Sequence, residues 1–100
     1  MPSETASSSE WTRFRAIVHG RVQGVNFRYY TCLQAERLGV VGYVRNRGDG
    51  TVEVVAEGTP QATQALLAWL HQGPPLAHVS YVEVTWLTPN REFHSFEVRS

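Results

Sequence analysis

Lysine is missing from this 100-residue chain, and all nine of its basic residues are arginines. Cysteine occurs once, as Cys32, which excludes an internal disulfide framework and any zinc site built from several cysteines. No apolar run approaches the ~20 residues needed to cross a bilayer, so no membrane-spanning helix is expected. The opening MPSETASSSE lacks the basic and then apolar stretches of a secretory signal. The expectation is a cytoplasmic protein with no membrane partner. His19, His71, His78 and His94 show no ligand spacing, and the carboxylates do not pair at a fixed helical spacing. No metal site is expected from them, and no Ser/His/Asp order stands out.

What the chain does contain suits one folded domain. Hydrophobic residues make up 42% and charged residues 18%, with three Trp, four Tyr and four Phe, which argues against a disordered chain. A globule of this length buries roughly 60–70% of the surface its unfolded chain exposes, enough for a single core. Residues 1–10, rich in Ser, Thr and Glu, read as a disordered tail, and residues 11–100 as the domain. The net charge is zero, but it is unevenly spread. Between Arg13 and Arg47 seven arginines face one acid, Glu36, whereas from Gly48 onward six acids outnumber two arginines. An overall neutral chain is poorly suited to non-specific nucleic-acid binding, yet its basic half can hold a small anion.

The periodicities order the elements. From Arg13 to His19 the residues alternate, with Phe14, Ala16 and Val18 on one face, as in a half-buried strand. Gly20 to Val25 breaks it. A helix follows with Asn26 as candidate N-cap; Phe27, Thr31, Ala35 and Leu38 share one face, and Gly39 supplies the stop. Val40 to Arg47 reads as a second strand. Asp49-Gly50 suits the positive-φ positions of a tight hairpin into a third strand, Thr51 to Glu57. Thr59 caps a second helix with Pro60 in its first turn and an apolar stripe of Ala62, Ala65, Leu66 and Trp69; Gly73-Pro74-Pro75 ends it. Val79 to Leu87 is a fourth strand, and Glu92 to Arg99 holds a short fifth. The fold class is therefore α+β, a ferredoxin-like βαββαβ sandwich: an antiparallel sheet with both helices on one face. In that arrangement the first two strands run parallel around the third. The loop after strand one then meets the end of strand two.

Two elements on that edge could carry chemistry. A glycine-flanked loop, Gly20 to Val25, runs from a strand into a helix, so its backbone N–H groups and the helix N-terminus can form an anion site. Arg28 lies in the first helical turn, where a cation opposes the helix dipole and a bound anion would resolve the conflict. Its guanidinium fork suits two phosphate oxygens. The alternative is an ordinary loop with Arg28 solvated. Asn46, at the end of strand two, offers a donor and an acceptor that hold water without titrating. Its alternative is a strand-end Asn bonding its own turn. Asp49 reads as a turn residue and Cys32 as a packed thiol. Arg21, Arg45 and Arg47 either steer anions or solubilise that edge.

The string GRVQGVNFR, then Gly39, Gly42-Tyr43-Val44 with Asn46, and Asp49-Gly50-Thr51-Val52-Glu53, resembles the acylphosphatase family. The match spans 14–57; the later elements fit in length and order but carry little signature. The resemblance implies a ferredoxin-like fold and hydrolysis of acyl phosphates, mixed carboxylic–phosphoric anhydrides, to a carboxylate and inorganic phosphate without metal or cofactor. Carried over position by position, it implies that Arg28 binds the phosphoryl group. The backbone N–H groups of Arg21, Val22, Gln23, Gly24 and Val25 would assist, and Asn46 would orient the attacking water. The implied partners are a small acyl phosphate, with phosphate or other small anions as competitors. Three positions depart from the usual pattern: Asn26 for a larger or apolar residue, Tyr43 for Trp, and an end at Arg99-Ser100 without the frequent terminal Tyr. None of them removes a catalytic group.

Two non-enzymatic readings stand beside this one. RNA-recognition modules share the fold but stack bases on aromatics of the open sheet face. Here strand three turns Thr51, Glu53, Val55 and Glu57 to that face, and its two carboxylates would repel RNA. A non-catalytic domain binding phosphate or carbamoyl phosphate is the second reading. No exposed apolar helix or long unpaired edge is evident, so a monomer is expected.

Overall fold

The computed structural model describes residues 10–100; residues 1–9 of the expected tail lie outside the described residues. The first strand, β1 (Thr12–Arg21), follows the predicted alternation, with Phe14, Ala16 and Val18 fully buried under the helices. Helix α1 (Phe27–Leu38) buries Phe27, Thr31 and Ala35. Asn26 precedes it but is not the expected side-chain cap: its backbone is left-handed, φ 63°, and its side chain bonds no helix N–H. Gly39 ends the helix in the left-handed region, as predicted.

Strand β2 (Val41–Asn46) and strand β3 (Val52–Gly58) form the expected hairpin. Its turn differs from the tight two-residue form. Arg47 donates its N–H to Thr51 O at 2.9 Å, enclosing Gly48, Asp49 and Gly50, and only Gly50 has positive φ. Asp49 instead braces the turn, its Oδ1 accepting from the Thr51 N–H at 3.0 Å and hydroxyl at 2.6 Å. Helix α2 (Pro60–Gln72) is capped by the Thr59 hydroxyl, which accepts from the Ala62 N–H. Its buried face is Thr63, Leu66 and Leu70; Ala65, expected on the stripe, is exposed. Thr63 can be buried because its hydroxyl donates to Thr59 O and lies 2.6 Å from the Thr12 hydroxyl.

With β4 (His78–Leu87) and β5 (Phe96–Arg99), the sheet has the order β4-β1-β3-β2-β5. β1 and β2 both run antiparallel to β3 and so parallel to each other. The fifth strand exists, but it pairs with β2 in parallel, so the sheet is mixed rather than wholly antiparallel. Its direction sends the C-terminal ends of β1, β2 and β5 to one edge. No helix among the described residues is long and apolar enough to cross a membrane.

The face away from the helices is held by charge. Glu53, only 4% exposed, stands on central β3 between Arg15 Nε at 2.6 Å and Arg45 Nε at 2.5 Å. Glu57 pairs with Arg13 at 3.2 Å and accepts the Arg91 N–H at 2.9 Å. Glu53 and Glu57, expected to lie open on this face, are thus buried and paired with arginines of neighbouring strands. Burial works to raise the Glu53 pKa, but the hydrogen bonds and charges of Arg15 and Arg45 outweigh it and hold the carboxyl below its ordinary value of 4.5.

A Glu53→Gln variant is expected to lose about 1–2 kcal/mol of stability near neutral pH, less than a fully buried pair because both arginines reach solvent. A depressed folded-state pKa means this contribution is complete above 4.5 and disappears as pH falls through the folded value. Urea unfolding across pH should show wild type and variant converging as pH falls from 4.5 through the lower folded value. A gap that persists undiminished into that range would contradict the ion-pair assignment.

Candidate active site

The loop that joins β1 to α1 begins with a forced change of direction. Register between β1 and β4 shifts at His19/Gly20, a bulge, and Gly20 takes φ 129°. A side chain there would bring its Cβ within 2.1 Å of His78 O, so only glycine fits. Arg21 still belongs to β1, in register with His78, and the open loop runs over 22–26. Val22 is buried and anchors the loop to the core, with Val25 packed beside it.

Between these anchors the backbone alternates in hand. Gly24 (φ 77°) and Asn26 (φ 63°) are left-handed, while Gln23 and Val25 are not. Alternation of this kind curls successive N–H groups toward one concave side, the geometry of an anion nest. The N–H groups of residues 22–26 donate to no described acceptor. The helix adds more donors, since its backbone bonding starts with Tyr30 N–H to Asn26 O at 3.1 Å. A non-glycine residue held left-handed costs of order 1 kcal/mol. Asn tolerates it better than most residues.

Arg28 stands at the second position of α1, half-buried, and makes no ion pair or hydrogen bond with a described residue. No acid lies in the first turn to neutralise it. Facing it across a pocket of about 350 Å³ is Asn46, the last residue of β2. Asn46 Oδ1 is buried and accepts no hydrogen bond from a described residue. Leaving such an acceptor unpaired costs about 1–3 kcal/mol, so it marks a place where a donor from outside the protein belongs. Val22, Gly24, Asn26, Phe27, Tyr29 and Val98 complete its lining. Arg28, Asn46 and part of the loop therefore converge on one cavity. Arg21, Gln23 and Val25 are not among the residues that line it.

Gln23 has a role that reading its neighbours in sequence does not reveal. Its side-chain Nε2 donates to Arg47 O at 2.8 Å and to Thr51 O at 2.9 Å. One amide thus ties the anion-nest loop to both ends of the turn that follows Asn46. Asp49 stays in its turn, and the Thr51 hydroxyl bond lowers its carboxyl pKa. Burial raises that of the Cys32 thiol, with Glu36 adding to it, so this cysteine is not an activated nucleophile. His19 stacks on Tyr81 and meets Glu83 at 2.8 Å.

Comparison with known proteins points to one family. A family model described as Acylphosphatase matches residues 14–98. The acylphosphatase of Thermococcus kodakarensis is 57% identical over 72 residues, 72% of this chain and 79% of that protein. The acylphosphatase of Anaeromyxobacter dehalogenans is 49% identical over 87 residues, 87% of this chain and 94% of that protein. The crystal structure of acylphosphatase from Bacillus subtilis is similar with a TM-score of 0.86 at 37% identity, covering 89% of this chain and 99% of that one.

Substituting Gln23 by Ala removes two hydrogen bonds to carbonyls that keep other donors, so a stability loss of only about 1–2 kcal/mol is expected. The loop would then drift from the hairpin, and phosphate affinity, read by calorimetric titration, should fall by about tenfold. Unaltered affinity at the same stability loss would show the amide to be a fold contact alone.

Proposed function

The chain belongs to the acylphosphatase family, and on that premise we propose how its own residues divide the hydrolysis of an acyl phosphate. The reaction is attack of water on a phosphoryl group whose leaving group is a carboxylate. Phosphoryl transfer of this kind is mainly positioning and charge stabilisation around a loose transition state. The arrangement supplies both.

Arg28 presents an unpaired guanidinium that can grip two phosphoryl oxygens, while the N–H groups of residues 22–25 receive the remaining negative charge. The positive end of α1 lies at the same place. Without a bound anion, Arg28 sits against that dipole. With one, the conflict becomes an attraction.

Asn46 is the positioning group for water. Its orphaned Oδ1 accepts a hydrogen bond from one O–H of the incoming water and so aims a lone pair of that water at phosphorus, opposite the departing acyl oxygen. The new bond forms from water oxygen to phosphorus as the bond from phosphorus to the acyl oxygen breaks. The carboxylate leaves with its electron pair, and the other water proton passes to a phosphoryl oxygen. A carboxylate is already a good leaving group, so no side chain need act as acid. Nor does Asn46 act as base: a carboxamide does not titrate. The observation that carries this reading is the buried, unbonded Asn46 Oδ1 sharing a pocket with the unpaired Arg28.

The roles separate experimentally. Arg28→Ala should abolish both inhibition by inorganic phosphate and hydrolysis of benzoyl phosphate. Asn46→Ala should leave phosphate inhibition within about twofold of wild type while kcat falls by about 10²–10³, the effect of losing one preorganised group. Near-wild-type turnover in Asn46→Ala would contradict the water-positioning role. Saturable phosphate binding by the wild type without turnover would instead indicate a binding domain that kept the cradle alone.

A further inference from the structure

The pocket is larger than a phosphoryl group requires, and the groups that line it differ in chemistry. Arg28, Asn46 and part of the loop supply its polar groups. Tyr29 and Val98 supply apolar surface and are 59% and 49% exposed. Val98 faces the helix side of the sheet, like Phe96 two residues earlier, which is nearly buried. Its register partner Val44 is fully buried, whereas Val98 is left half-open at the strand end. On the neighbouring strand, Asn46 lies one step beyond Val44 on that same face. Tyr29 is held edge-on by Tyr30, with ring centroids 5.3 Å apart, and Phe27 is buried beneath against Trp69.

The charge lining the pocket is equally uneven. Arg28 is its one cation and there is no carboxylate among the residues that line it. With Arg28 committed to the phosphoryl group, the lining offers no further ionic partner. A second charge placed beside Tyr29 and Val98 would gain no partner, whereas an apolar group would cover exposed valine and tyrosine surface.

We infer that Tyr29 and Val98 form the acyl-binding end of the site, and that it selects neutral apolar acyl groups, aromatic or branched aliphatic, over acyl groups carrying a second anion. The inference rests on the phosphoryl-site reading above. It assigns Val98 and Tyr29 to specificity and leaves the chemistry to Arg28 and Asn46.

The test compares kcat/KM for benzoyl, acetyl and succinyl phosphate, with inorganic phosphate inhibition measured alongside. Wild type should prefer benzoyl to succinyl phosphate by at least about tenfold. Val98→Ala should reduce the benzoyl-to-acetyl ratio by about three- to tenfold, and Val98→Leu should restore it. Val98→Arg should raise the succinyl-to-benzoyl ratio, because it supplies the missing cation. A ratio that does not move in any Val98 variant while phosphate inhibition persists would overturn the acyl-end assignment alone. Parallel losses for all three substrates, with weakened phosphate inhibition, would show Val98 to be structural and overturn it too. Failure of wild type to be inhibited by phosphate would instead strike at the phosphoryl-site reading.

Discussion

Because β3 lies between β1 and β2 and runs against both, these two strands must deliver their C-terminal ends to the same edge of the sheet. The proposed site depends on that constraint. β1 ends in the loop and β2 ends in Asn46, while α1 starts where the loop stops. β5 joins β2 in parallel and adds Val98 to the same edge. A single backbone arrangement thus gathers a guanidinium, a set of unbonded N–H groups, a carboxamide and an apolar shelf. Gln23 then fastens loop to hairpin across the gap.

Apolar core and charge network are kept on opposite sides of the sheet. The helix side carries an apolar core in which Phe14, Val18, Val54 and Leu66 are fully buried. The other side carries arginines bound to the glutamates of β3. Arg13, Arg15 and Arg45 are thereby engaged, and Arg45 is held charged by Glu53. This accounts for much of the basic first half of the chain: its arginines complement a carboxylate-bearing central strand. Arg28 differs from them in having no carboxylate partner among the described residues. The site therefore brings an unpaired, half-buried cation beside unpaired donors and an unpaired acceptor.

Much of this was legible in sequence because it rests on local periodicity and on glycine. The alternation in β1, the helical spacing of Phe27, Thr31 and Ala35, and the Gly20 break placed the loop correctly. Topology then brought Asn46 near it. What escaped depends on contacts between distant segments. Gln23 bonds residues 24 and 28 positions away, which no spacing rule addresses. β5 is four residues long, too short for its pattern to reveal its direction. Thr63 looks polar, yet it is buried because Thr59 and Thr12 satisfy its hydroxyl. The left-handed backbone at Asn26 was read as a cap, since Asn serves both purposes and only the torsion distinguishes them.

The central claim is that the β1–α1 loop, Arg28 and Asn46 form one phosphate cradle. The most direct measurement is an amide and side-chain NMR titration of the wild-type protein with inorganic phosphate. The account predicts saturable shifts confined to the backbone N–H groups from Val22 to Tyr29, the Arg28 guanidinium and the Asn46 carboxamide. It predicts none at the arginines of the open sheet face. Shifts centred instead on Arg15, Arg45 and their neighbours, with the loop amides unmoved, would contradict it.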